Sequence, residues 1–169
     1  EYLCRSGERP TYFDVPGINH NSIERREAYA ATMKRLGLEP VYADVGEINH
    51  WEFERFAFDA ASRILKNGGF PTRTIQCAND RLAFGVLAAI NETGAKIGIG
   101  PGSEYRVAGH DNQPFSVYTA PPLTTVSQNT ERMSQAALDL LFSKMDQGEP
   151  PPEGDRILLN AELVFRKSA

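Results

Sequence analysis

Arginine, asparagine, aspartate and aromatic residues gather at four places in this 169-residue sequence: Asn19 to Arg25, Asn49 to Phe53, Asn79–Asp80 and Asp111–Asn112. An arginine offers charged donors, an asparagine a mixed amide and an aspartate a charged acceptor, the combination that pairs with vicinal hydroxyls. Trp51 or Phe53 can stack on the apolar face of a sugar ring. Recognition of a small sugar or polyol is the chemistry these residues offer. Each also has an ordinary structural reading: Asp80 as a helix cap, Arg25 as a solvated helix charge, Trp51 as core.

Other chemistries find less support. Cys4, His20, His50, Cys77 and His110 are scattered without the close ligand pairs of a zinc site, so no metal is expected. The run Gly98 to Gly102 does not open a helix directly after a strand, and Pro101 removes an N–H donor, so it reads as a turn and not as a phosphate loop. His110 and Asp111 resemble a base and its orienting partner, the basis for a rival reading as an α/β hydrolase or transferase. No G-x-S-x-G elbow accompanies them. No enzyme activity and no cofactor are expected.

The recognition residues must be positioned by regular elements, and the apolar pattern supplies these. Short β-type runs at 11–15, 41–43, 74–77 and 105–109 alternate with helical stripes: Tyr29, Met33 and Leu36; then Phe53, Ala57, Ala60, Ala61, Ile64 and Leu65; then Leu82, Val86 and Ile90. Glycines at 37, 68 and 94 stop the three helices. Strand–helix alternation of this kind predicts an α/β fold, an αβα sandwich on a mainly parallel sheet. All four polar groups then fall where strands end or helices begin, the edge of such a sheet that lines a ligand crevice. Further on, Met133, Ala136, Ala137, Leu140 and Leu141 predict a helix over about 127–147 ending near Gly148, residues 149–154 a loop, and Ile157 to Phe165 a last strand.

Composition sets the outer limits. With 41% hydrophobic and 24% charged residues, the chain has the make-up of one globular domain. A net charge of −4 leaves no basic field to hold nucleic acid on this stretch. No apolar run approaches the roughly 18 to 20 residues of a membrane span, and the N-terminus lacks the layout of a signal peptide. Two cysteines make one bridge at most, so free thiols in a cytoplasmic protein are expected. Glu1 to Gly7 reads as the end of a helix stopped by glycine, which suggests a fragment.

Four segments resemble, in order and spacing, the regulatory core of LacI/GalR-type bacterial transcription regulators: Asn79 to Leu87, Val107 to Asn112, Pro122 to Gln128 and Leu163 to Ser168. Arg25-Arg26-Glu27-Ala28-Tyr29 is similar to that family's Arg-x-x-Gly-aromatic helix start, with Ala28 in place of glycine. The resemblance implies a periplasmic-binding-protein-like core of two subdomains that close on a small effector, often a sugar, in a homodimer. Operator DNA would be met only by a helix-turn-helix domain, expected with most of the N-terminal subdomain to lie outside this chain. Carried over, Arg25, Asn79 and Asp111 match effector-gripping positions and Trp51 lies close to the aromatic wall, although extra residues stand between Gly46 and Ala57. His110 replaces the usual aromatic. The same likeness assigns 1–122 to the C-terminal effector-binding subdomain, 123–150 to a helix of the N-terminal one and 151–169 to a return strand. It also makes the helix of about 80–93 and the segment before Pro121 the two-fold contact, with Phe84 in it. A periplasmic sugar-binding protein of a transport system is the alternative within this fold.

Overall fold

A computed structural model describes residues 1–47, 51–147 and 157–169. Asn49 and His50, the expected helix stop at Gly148 and the expected loop at 149–154 lie outside the described residues.

Four parallel strands form the central sheet in the order β2-β1-β3-β4: β1 Thr11–Phe13, β2 Val41–Tyr42, β3 Thr74–Cys77 and β4 Arg106–Ala108. Three helices join them, α1 His20–Arg35, α2 Phe53–Lys66 and α3 Asp80–Glu92. Asn19 starts α1 through a capping box, its side chain accepting from the Ser22 amide at 2.9 Å. Successive strand residues face opposite sides of the sheet. Accordingly, Tyr12 stacks on Tyr29 of α1 with centroids 4.6 Å apart, and Phe13 lies against Phe70, just past α2. Helices therefore cover both faces, as the αβα reading requires. Residues 1–7 are a 3₁₀ turn, Tyr2–Ser6, stopped at Gly7 with φ 80°.

Helices α2 and α3 cross at close range because small residues meet there. Ala57, Ala60 and Ala61 of α2 are buried, and Ala57 meets Gly85 of α3, which has no Cβ. A Cβ at Gly85 would stand 2.6 Å from the Phe58 amide nitrogen and 2.7 Å from the Ala57 Cβ, and closer still to the Glu54 carbonyl. Two of those neighbours are backbone and cannot swing aside. Gly85→Ala is therefore expected to cost about 3 kcal/mol, the upper range for overpacking, despite Ala's better helix propensity. Urea unfolding would read it as a lower midpoint at unchanged slope.

Beyond β4 the chain differs in part from its sequence pattern. The apolar run 157–165 forms a strand only over Glu162–Val164 (β6), which pairs antiparallel with β5, Thr125–Ser127. The last residues return to the central sheet: the Val107 amide donates to the Ser168 carbonyl at 2.9 Å, and the Thr124 hydroxyl to the Ala169 carbonyl at 2.8 Å. Helix α4, Thr130–Gln147, follows β5 and has no buried residue among those described.

Candidate functional site

The C-terminal ends of β1, β3 and β4 and the first turns of α1 and α3 meet at one edge of the sheet. The loop after β4 is bent sharply there. Asp111 has φ 114° and Asn112 φ 49°, left-handed backbone that is uncommon outside glycine and persists only where the surroundings hold it. The hold is visible. The Asp111 amide donates to the Val126 carbonyl at 2.9 Å, the Asp80 amide to the His110 carbonyl at 2.8 Å, and Arg166 reaches Asn112 Oδ1 at 2.7 Å.

Asp80 ties this loop to α3. Its carboxylate is fully buried and accepts from the Thr125 hydroxyl at 2.6 Å and the Gln113 amide at 2.7 Å. Burial raises its pKa, and these two hydrogen bonds pull the other way. A Cβ at Gly109 would overlap Asp80 Oδ1, so glycine is needed for the carboxylate to lie against β4. Asn79, not Asp80, caps the helix, its Oδ1 accepting from the Leu82 amide at 2.9 Å. That leaves the Asn79 amide group, Nδ2, available to another molecule.

Asp111 and Arg25 face each other across the edge. The Arg25 guanidinium donates to Asp111 Oδ1 at 2.7 Å and to the Ala78 carbonyl at 2.7 Å, which fixes it against the end of β3. Gln128 Nε2 also donates to Asp111 Oδ1, at 2.9 Å, and His110 Nδ1 approaches it to 3.0 Å. No described residue donates to Oδ2. Burial alone would raise the Asp111 pKa, but the His110 hydrogen bond and the Arg25 charge outweigh it and hold the carboxyl below its ordinary value.

Arg25, Asn79 and Asp111 line one cavity of about 170 Å³ with Phe53, Ser22 and Asn19. Trp51 does not line it. Its ring is 60% exposed and tilts against Phe53, centroids 5.4 Å apart, so Phe53 is the aromatic surface that the cavity presents. Arg81 fixes this corner with two bonds to the Glu54 carboxylate, at 2.6 and 2.7 Å, and one to the Trp51 carbonyl at 3.0 Å. A wider cleft of about 440 Å³ adjoins, between the first turns of α1 and α4, and shares Arg25 while adding His110 and Gln128. Among the described residues, no three His, Cys, Asp or Glu side chains group as metal ligands. Also among them, no helix is long and apolar enough to cross a membrane.

Sequence reasoning thus named Arg25, Asn79 and Asp111 of the cavity and missed Gln128, which lines the adjoining cleft and reaches Asp111 from just past β5. The residues alone left Trp51 and Phe53 open and the resemblance pointed to Trp51, whereas the cavity is lined by Phe53. A family model described as a periplasmic binding protein-like domain matches residues 7–169. The chain belongs to that family. Its likeness to LacI/GalR-type regulators holds at both levels of comparison. The HTH-type transcriptional repressor PurR of Histophilus somni (strain 129Pt) is 35% identical over 111 residues, 66% of this chain and 31% of that protein. A crystal structure of the lac repressor dimer bound to operator and the anti-inducer ONPF superposes with TM-score 0.81 at 25% identity, covering 99% of this chain and 55% of that one. A LacI family transcriptional regulator from Enterococcus faecalis V583, solved with bound ribose, shares the fold at TM-score 0.72 and 23% identity, over 99% of this chain and 57% of that one. This periplasmic-binding-protein-like domain therefore spans about a third of the curated relatives it matches and a little over half of the solved chains.

Proposed function

We propose that this domain is the effector-sensing part of a LacI-type transcription regulator, taking a sugar or polyol at the Arg25, Asn79 and Asp111 cavity. The observation that carries it is the pair of unused groups there: Asp111 Oδ2 accepts from a ligand hydroxyl, and Asn79 Nδ2 donates to a neighbouring oxygen. Phe53 covers the ring's apolar face, with Trp51 as the outer part of the same wall. The cavity is smaller than the roughly 300–1,000 Å³ usual for a ligand pocket. A second subdomain closes over it, in the division where 1–122 and 151–169 belong to one body and 123–150 to the other. Ligand binding then shifts the closure equilibrium, and a separate helix-turn-helix domain reads that shift on operator DNA in the cytoplasm. No bond is made or broken. Titration calorimetry of the intact regulator against pentoses, hexoses and polyols tests this, with a planar nucleobase as contrast. Heat from the nucleobase alone would discard the polyol.

The working unit is a homodimer formed through α3 and the segment before Pro121. Supporting this, Phe115 of the 3₁₀ turn Pro114–Val117 and Tyr118 just after it are 70% and 80% exposed, and Asn91 of α3 donates to the Ala120 carbonyl at 2.8 Å, which sets this apolar surface beside α3. Phe84 is half-buried and packs on the core, so its replacement would mix folding with association. Tyr118→Asp is the cleaner test. Placing a charge in a desolvated aromatic contact should weaken the dimer at least ~30-fold by sedimentation, with the melting of the monomer unchanged.

A further inference from the structure

His110 touches the Asp111 carboxylate without itself lining the smaller cavity. Asp111 is ionised and so only accepts hydrogen bonds. The close approach of His110 Nδ1 to Asp111 Oδ1, at 3.0 Å, therefore requires the proton on Nδ1. Gln128 Nε2 lies 3.3 Å from that same nitrogen, and with Nδ1 protonated the two cannot bond to each other. Both instead converge as donors on Oδ1, where Arg25 is already bound. Asp111 makes this contact with the residue before it from a left-handed backbone, φ 114°. Three donors from three parts of the chain thus occupy one carboxylate oxygen and none occupies the other.

We propose that His110 is a positioning residue for ligand recognition: with Gln128 and Arg25 it locks Asp111 through Oδ1, so that Oδ2 is presented in one orientation to a hydroxyl of the ligand. This rests on the reading of the cavity as a polyol site. Without His110 the carboxylate keeps Arg25 and Gln128 as partners but gains a rotation that shares Arg25 between its two oxygens, and Oδ2 is then no longer reserved. The specificity that results is for a ligand that donates at this point. A sugar lacking the hydroxyl is rejected because Oδ2 would be left desolvated and unpaired.

Two substitutions separate positioning from mere support. Asparagine places an amide N–H close to where Nδ1–H stands, and phenylalanine fills the space with no donor. In calorimetry with the tightest sugar of the panel, His110→Asn should bind within about three-fold of the parent and His110→Phe about ten-fold more weakly. Equal affinity of parent and His110→Phe would overturn the proposal, as would equal losses in both variants. A second measurement needs no sugar. With 13Cδ2-labelled histidine in the intact protein, the resonance lost in His110→Asn should report the Nδ1–H tautomer, and should change in Asp111→Asn. An Nε2–H tautomer would overturn the proposal even if every sugar bound. Conversely, if no sugar binds but the Nδ1–H tautomer and its Asp111 dependence are found, the polyol reading fails and the lock on Asp111 stands.

Discussion

Asp111→Ala should weaken sugar binding by the intact regulator at least ~30-fold, the largest single loss expected at the site. Two costs add. The ligand hydroxyl loses a charged acceptor, and Arg25 keeps its tie to the Ala78 carbonyl while losing its counter-ion in a half-buried position. Truncating one partner of a buried, hydrogen-bonded charge pair typically costs about 2 to 5 kcal/mol, much of it from the charge left behind. Even the low end of that range is about 30-fold in affinity. Asp111→Asn separates the two contributions, since it keeps an acceptor of nearly the same shape and removes the charge that Arg25 needs. It should fall between the parent and Asp111→Ala. The loss is expected in calorimetric affinity with stoichiometry unchanged. Affinity for Asp111→Ala within a factor of three of the parent would remove Asp111 from the site.

Helix α3 and strand β3 were legible in the sequence because their determinants are local. Leu82, Val86 and Ile90 face the core and Gly94 follows the end of α3, as their spacing suggests, and only the cap falls one residue away, on Asn79 rather than Asp80. The β5–β6 pair was not legible. Its three rungs join residues 125–127 to 162–164, and no short-range pattern announces a pairing across that separation. Ile157 and Leu158 look like strand residues by composition, yet both are exposed and unpaired among the described residues. The site divides in the same way. Asn79 and Asp111 stand in loops directly after strands, where topology alone puts ligand groups. Gln128 reaches the same loop from just past β5, and Arg166 from the end of the chain. Phe53 looked like the first residue of a core stripe and is also the cavity's wall. The start of α2 at Phe53, which turns Phe53 inward and leaves Trp51 outside, decides between those two aromatics, and composition cannot.

Helix α4 should exchange its amide hydrogens far faster than α3 in the isolated 169-residue chain. Leu138, Leu141, Phe142 and Met145 fall at i, i+3, i+4 and i+7, a core-facing stripe by its period, and all four are exposed. Met133, one turn earlier, is exposed as well. Burying one such side chain is worth roughly 1.5 to 3 kcal/mol, so four of them in water forgo an amount comparable with the whole stability of a small domain, about 5 to 15 kcal/mol. An 18-residue helix without tertiary packing is marginal in water, since nucleation is costly and propagation only weakly favourable. Protection across 130–145 should therefore be on the order of ten-fold, against near-global protection in α3, whose apolar residues are buried between α2 and the sheet. On the proposed division, in which 123–150 belongs to a second subdomain, supplying that subdomain should raise α4 to the level of α3, because its stripe would then cover a sheet. Strong protection of α4 in a monomer of the isolated chain would mean that it packs within these residues, and the assignment of 123–150 to a separate body would fall.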